Sequence, residues 1–532
     1  YIDYLSRFKI KALKHFFCIL FIYFFGVNNL VYSQQEKPYQ SEQPSLPVWV
    51  KMMYGENPDP GEVTVAYESY YKSIPFEKNS HTQYYKRWIR SIGRTIPKPR
   101  PNASNKTMTN KAFSGNANWE NIGPWNFDKG AASVSYAAGA AHIYTVEQSI
   151  SNTNVLFAGT ATAGVWKTMD KGLHWESLTD TLTIGSVVAM EINFLNENTV
   201  YFGGGNDIYK SYDGGNYWQV IGDPTFQTLD IWCNDMVMDP TDTNRLLLAT
   251  NIGLFLTTDG GNNFSSLLSG EIQEIEFHPV DPNMIYVIKL VGNHTEFYKS
   301  SDGGASFIQK INGWPSPTSP DEQKRTEIAV TQAAPGNIYA LATGAANGGS
   351  GLYGVYVSHD EGETWTFRCC GPQPAGPPDS ANPNLMGWQD DGSDDGGQYY
   401  YDLAFDVSPF DSNRLHVGGV NHWISSDGGF TFNCPSKWSH SYKDNYVHAD
   451  IHDIRFFGND LWIACDGGIF YSDDTASTVQ VRMFGISGTD FWGFGAGHSD
   501  PNVMLGGTYH NGTLLKDNQV YQDEWISTDG GD

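Results

Sequence analysis

The sequence predicts an all-β fold, a multi-bladed β-propeller behind a small helical module, and three observations carry that prediction. The phrase Ser/Thr-x-Asp-x-Gly-x-x-Trp/Phe recurs about every 45 residues with longer insertions late in the chain, a period suited to four-stranded blades. Short alternating strands precede the phrase, as at Gly164-Val165-Trp166-Lys167 and Gly354-Val355-Tyr356-Val357. A second turn signal lies upstream of several copies in fixed phase, at Asp239-Pro240, Pro279-Val280-Asp281 and Pro409-Phe410-Asp411.

Six copies are well formed, with aspartates Asp170, Asp213, Asp259, Asp302, Asp360 and Asp427, and a weak one lies at Ser472-Asp473-Asp474, so at least seven blades are expected. The residue types describe a hairpin. Aspartate accepts hydrogen bonds from the turn's own N–H groups, glycine supplies positive φ, and the closing Trp or Phe packs beneath. These aspartates are therefore read as structural.

The 532 residues carry a formal charge of −26, which argues against a nucleic-acid partner or an anionic membrane surface. Residues 1–33 read as a secretory signal: Arg7, Lys9, Lys11 and Lys14 precede an apolar run from Phe16 to Val27, and cleavage is expected before Gln34. That run is too short to span a bilayer comfortably, so the mature chain is expected to be secreted or on the cell surface, with no transmembrane segment. Residues 44–96 form a helical module on the spacing of Val63, Ala66, Tyr67, Tyr70 and Tyr71, and of Tyr84, Tyr85, Trp88 and Ile89. Residues 97–118 are a Pro-, Asn- and Ser-rich linker, and the propeller runs over 119–532. The chain opens on Tyr and stops inside what reads as a repeat, so further blades are expected. Cys369 or Cys370 follows one repeat and Cys434 the next at similar offsets, which would allow a disulfide between them; free or buried thiols are the alternative.

The recurring phrase is the Asp-box, or bacterial neuraminidase repeat. With Trp119-Glu120-Asn121-Ile122-Gly123-Pro124, His448-Ala449-Asp450-Ile451-His452 and Asp466-Gly467-Gly468, the chain resembles secreted bacterial propellers of the sortilin-like and xyloglucanase-like group. Such proteins usually show Gln-Asp-Asn-Gly where this chain has Tyr509-His510-Asn511-Gly512. The helical preface with Val48-Trp49-Val50 and Lys86-Arg87-Trp88, together with cleavage before Gln34, resembles surface proteins of Bacteroidetes type. The resemblance implies type IX secretion. It also implies a choice between a non-catalytic scaffold for a peptide, a glycan or a secretion component and, as the alternative, a glycoside hydrolase acting on plant-type β-glucans such as xyloglucan. Scaffold is the favoured reading, because no carboxylate pair sits in a matching catalytic motif. A sialidase would need an arginine motif for which Phe367-Arg368-Cys369-Cys370 lacks the proline.

Two constellations outside the repeat carry candidate chemistry. Asp391, Ser393, Asp395 and Asp402 have calcium-loop spacing, with Gly396 at the bend, and a solvated acidic loop is the alternative. His448, Asp450 and His452 alternate, so a strand would place them on one face, and Asp466 from the next strand would complete a transition-metal set; a hydrogen-bonded cluster lining the channel is the alternative. No motif requires a cofactor.

Overall fold

A computed structural model describes residues 46–55, 58–75, 81, 82, 85, 121–126, 139–319, 321–346, 349–370, 383–394, 396–473, 475–517 and 525–529. The chain divides into two units, Tyr1–Asn118 and Trp119–Asp532. The expected signal, the linker, Asp395, Asp474 and most of the second expected helix lie outside the described residues.

The first unit contains helices α1 (Val48–Met53) and α2 (Pro60–Ser73). Asp59 caps α2 by accepting the Glu62 N–H at 2.9 Å, and Pro60 occupies the first helical position, where a missing N–H costs nothing. Helical spacing turns Tyr67 and Tyr71 toward Trp49: the Trp49 and Tyr67 rings meet edge-on at 4.9 Å, and Tyr67 stacks on Tyr85 at 4.0 Å.

The second unit is a β-propeller. Seven four-stranded antiparallel blades follow one another, blades 4 and 5 being joined through one parallel bridge between His294 and Gln323. Their inner strands are Ile143–Gln148, Ala189–Ile192, Cys233–Asp239, Ile272–Phe277, Glu322–Val330, Ala404–Val407 and Ile451–Phe457. Each inner strand packs against the next, and the seventh packs against the first, so the ring closes with seven blades. An eighth sheet follows, built from Phe491–Ala496, Met504–Thr508, Thr513–Lys516 and Trp525–Asp529. It stands outside the closed ring, and its first strand, carrying Trp492 and Phe494, is largely exposed.

The repeated turns share one hydrogen-bond pattern. In the six copies the Ser or Thr hydroxyl donates to the aspartate at 2.7–2.9 Å. The same oxygen accepts the glycine N–H two residues past the aspartate at 2.8–3.0 Å. The aspartate also accepts the N–H four residues on at 2.8–3.0 Å. These turns fasten neighbouring blades: Lys167 donates to the Gly214 carbonyl, Lys210 to Gly260 and Arg245 to Gly303, at 2.7–2.9 Å. Trp175 locks blade 1 to blade 7 through Nε1 to the Arg482 carbonyl and its N–H to the Phe484 carbonyl.

The cysteines differ from the expected pairing. Cys369 is bonded to its neighbour Cys370, and Cys434 is a free thiol donating to the Ser436 carbonyl. Similar offsets from the repeat do not bring Cys434 to either of them, because blade 6 places it in a fourth strand of its own.

Ser211→Ala removes the acceptor of the buried Gly215 N–H and should cost about 1–3 kcal/mol, against a few tenths for exposed Ser306→Ala, measured by denaturant unfolding.

Candidate functional site

Each of the seven inner strands carries at least one carboxylate: Glu147, Glu191, Asp235, Glu274 with Glu276, Glu327, Asp406 and Asp453 in blade order. Those of blades 3 to 7 line the axial channel. Several reach across to a neighbour's backbone. Glu191 accepts the Met238 N–H at 3.2 Å, Asp235 accepts Ile275 at 3.0 Å, Asp406 accepts Phe456 at 2.8 Å, and Asp453 accepts Val146 at 3.0 Å. The last of these closes the ring. Arg455 supplies compensating charge, donating to Glu147 at 2.8 Å and to Asp453 at 3.1 Å. Burial, opposed by the Arg455 charge, raises the Glu147 carboxyl to about 7 and that of Asp235 to about 6. Burial pushes Asp406 up to about 7. Burial and neighbouring carboxylates hold Glu191, Glu274 and Glu276 well above the usual range. A cavity of about 690 Å³ occupies this channel, with Trp232 and Tyr400 among its lining residues.

Above the channel lies a cluster contributed by four segments. Gln398, Tyr401 and Asp402 come from the stretch entering blade 6, and Asp450 and His452 from the entry to the last inner strand. Asp466 occupies the turn between the second and third strands of blade 7, and His510 the turn of the eighth sheet after Met504–Thr508. His510 Nδ1 lies 3.0 Å from Asp450 Oδ2 and 2.8 Å from Asp466 Oδ2. His452 Nε2 meets the other oxygen of Asp466 at 2.7 Å, and the Tyr401 hydroxyl donates to Asp466 at 2.9 Å. Asn511 pins the eighth-sheet turn by donating to the Asp466 carbonyl at 2.9 Å, and His142 Nε2 lies 2.8 Å from the Tyr509 carbonyl. Asp450 and His510 both adopt φ of 61°, a left-handed conformation that costs a non-glycine residue about 1–3 kcal/mol and is tolerated where surroundings demand it.

The electrostatics of the cluster are divided. Burial would raise Asp466, but the His452 and His510 imidazoles hold its carboxyl far below the usual range. Burial would lower His510, but Asp450 and Asp466 raise its imidazolium to about 11. Burial and the Asp450 charge push Asp402 well above the carboxylate range. Beside the cluster opens a depression of about 630 Å³, lined by Gln398, Tyr400, Tyr401, Trp492, Tyr509 and His510.

The structure gathers three of the four residues expected to bind a transition metal. Asp450, His452 and Asp466 meet, whereas His448 packs its ring on Gly467 with Nδ1 toward the Ala449 carbonyl. The strand begins only at Ile451 and Asp450 has positive φ, so the strict alternation assumed for His448 to His452 breaks. His510 takes the remaining place. It lies where the resembling proteins usually carry aspartate, and that departure was the sequence signal for it. The residues with calcium-loop spacing have different surroundings: Asp391 is exposed and accepts the Ser393 N–H, whereas Asp402 is buried beside Gln398 and faces Asp450. The channel acids were not singled out from sequence. Their signal is a lone acid among apolar residues roughly two dozen positions before the box aspartate in blades 1, 2, 3 and 6.

No family model matches the chain, and no curated protein matches it by sequence. Solved structures do. An ancestral GH74 enzyme matches with a TM-score of 0.53 at 14% identity, over 74% of this chain and 55% of that one. The GH74 xyloglucanase from Xanthomonas campestris matches with a TM-score of 0.52 at 16% identity, over 74% of this chain and 61% of that one. This chain thus spans less than two thirds of either. At such identities the likeness is one of fold, the β-propeller.

The channel makes stability depend on pH with a definite sign. Glu147 ionises near 4.5 in the unfolded chain and about 7 in the folded one, so its contribution is intact below pH 4.5 and lost as pH rises through 7. His422, pushed down to about 4 by burial, acts oppositely: its contribution is intact above pH 6.5 and lost as pH falls toward 4. Raised carboxyls outnumber lowered imidazoles among the described residues, so Tm should fall from pH 5.5 to pH 8. Glu147→Gln should gain about 2 kcal/mol relative to wild type between those two pH values, read from unfolding curves.

Proposed function

We propose that the propeller is an extracellular carbohydrate-binding protein whose ligand is a neutral, plant-type β-glucan seated at the channel mouth. The observation that carries the reading is the set of accessible aromatics lining the depression. Tyr400 and Trp492 are 75% and 74% exposed and Tyr509 is partly so, while Trp232 lines the channel that Tyr400 also lines. Flat rings presented to solvent stack on the apolar C–H faces of pyranose units, while Gln398 and the cluster below offer hydrogen bonds to hydroxyls. The formal charge of −26 disfavours an anionic ligand such as a sialic acid or uronate chain. The likeness in fold to a xyloglucanase supports placing xyloglucan first on a binding panel.

A binding role accounts for the cluster more simply than hydrolysis does. Asp402, whose raised carboxyl would suit a general acid, is 1% exposed and lies beneath Tyr401 rather than at the surface. Calorimetry with xyloglucan and mixed-linkage glucan oligosaccharides should show saturable binding, weakened about tenfold or more by Trp492→Ala or Tyr400→Ala. Retention of an anionic polysaccharide or a peptide instead of neutral glucans would refute this reading. Release of reducing ends would extend it to catalysis.

A further inference from the structure

We infer that Asp450, Asp466 and His510 form a binding site for a first-row divalent cation, of the manganese-to-zinc class, at the floor of the depression. Three ligand atoms, one from each residue, lie within 4.8 Å of one another. His510 Nδ1 carries at most one hydrogen, yet it faces carboxylate oxygens at 3.0 and 2.8 Å from two different residues. One N–H makes one linear bond, so the second contact is poorly served by a proton. A metal serves both. With bonds of about 2.1 Å, adjacent ligands of an octahedral ion stand about 3.0 Å apart, which is the spacing His510 already keeps to each carboxylate.

The surroundings have the form of a built site. Each carboxylate has one oxygen held by another side chain: Gln398 Nε2 bonds Asp450 Oδ1, and His452 Nε2 bonds Asp466 Oδ1. Both Oδ2 atoms are left facing His510, although the Tyr401 hydroxyl also touches that of Asp466. Such outer partners orient ligands and tune a metal. Gln398, Tyr401 and His510 also line the depression, which gives the site a side open to water or ligand hydroxyls at His510. One imidazole with two carboxylates selects a borderline first-row ion over calcium, which prefers six to eight oxygens.

The purified chain, stripped with EDTA, is titrated with Mn2+ and separately with Zn2+ by calorimetry, and retained metal is counted by elemental analysis. One ion per chain and a higher Tm are expected for at least one of these metals, with Ca2+ bound at least about tenfold more weakly. His510→Gln should weaken binding by about 100-fold or more, and Asp466→Asn likewise, while His448→Ala should leave it within about twofold. Loading with Co2+ should give a visible spectrum that changes in His510→Gln. Should Asp466→Asn fail to fold, His510→Gln in its connecting turn carries the test. Neither metal binding stoichiometrically, or binding undiminished in His510→Gln, overturns the assignment. Glucan binding by the metal-free protein is measured separately, so the two proposals fail independently.

Discussion

A carboxylate reaching from one inner strand to the backbone N–H of the next is the interaction on which this ring depends. Six of the seven inner strands are edge strands, and the remaining one, Glu322–Val330, meets blade 4 through a single bridge, so the row of backbone groups turned away from its own blade has almost no ladder to join. Those N–H groups lie in a confined channel, where leaving them unpaired costs about 1–3 kcal/mol each. Glu191, Asp235, Asp406 and Asp453 supply acceptors at four of the seven junctions, including the one that joins last blade to first. Polar side chains reaching backbone carbonyls serve others, as Gln273 does for Lys324 and Arg325 for Leu403.

This solution concentrates carboxyl groups on one axis. Burial in a narrow channel, and after it the neighbouring carboxylates, raise the proton affinity of Glu191, Glu274 and Glu276. Arg455, bonded to Glu147 and Asp453, relieves part of the repulsion. At the mouth, where the eighth sheet lowers its turn onto blade 7, imidazoles replace guanidinium as the compensating groups, and His452 and His510 bracket Asp466. Aromatic rings then surround the opening.

The propeller was legible because its signal is periodic: the box residues are local, and their hydrogen bonds close within five positions of each turn. Asp450, His452 and Asp466 meet because they are close along the chain and the hairpin that follows, which is nearly a sequence property. His448 lies apart from them, since alternation presumes extended backbone and Asp450 is left-handed. Tyr401 and His510 belong to other sheets, and only ring closure and the placement of the eighth sheet bring them to Asp466. Local chemistry was readable; convergence across blades was not.

Amide hydrogen exchange reads the carboxylate clasps themselves, because they act on four identifiable N–H groups. Val146, Met238, Ile275 and Phe456 should exchange as slowly as ladder amides inside a blade, and Asp453→Ala should release Val146 selectively while leaving Met238 protected. Exchange of these four amides at the rate of exposed turns, or an unchanged Val146 in that variant, would contradict the account.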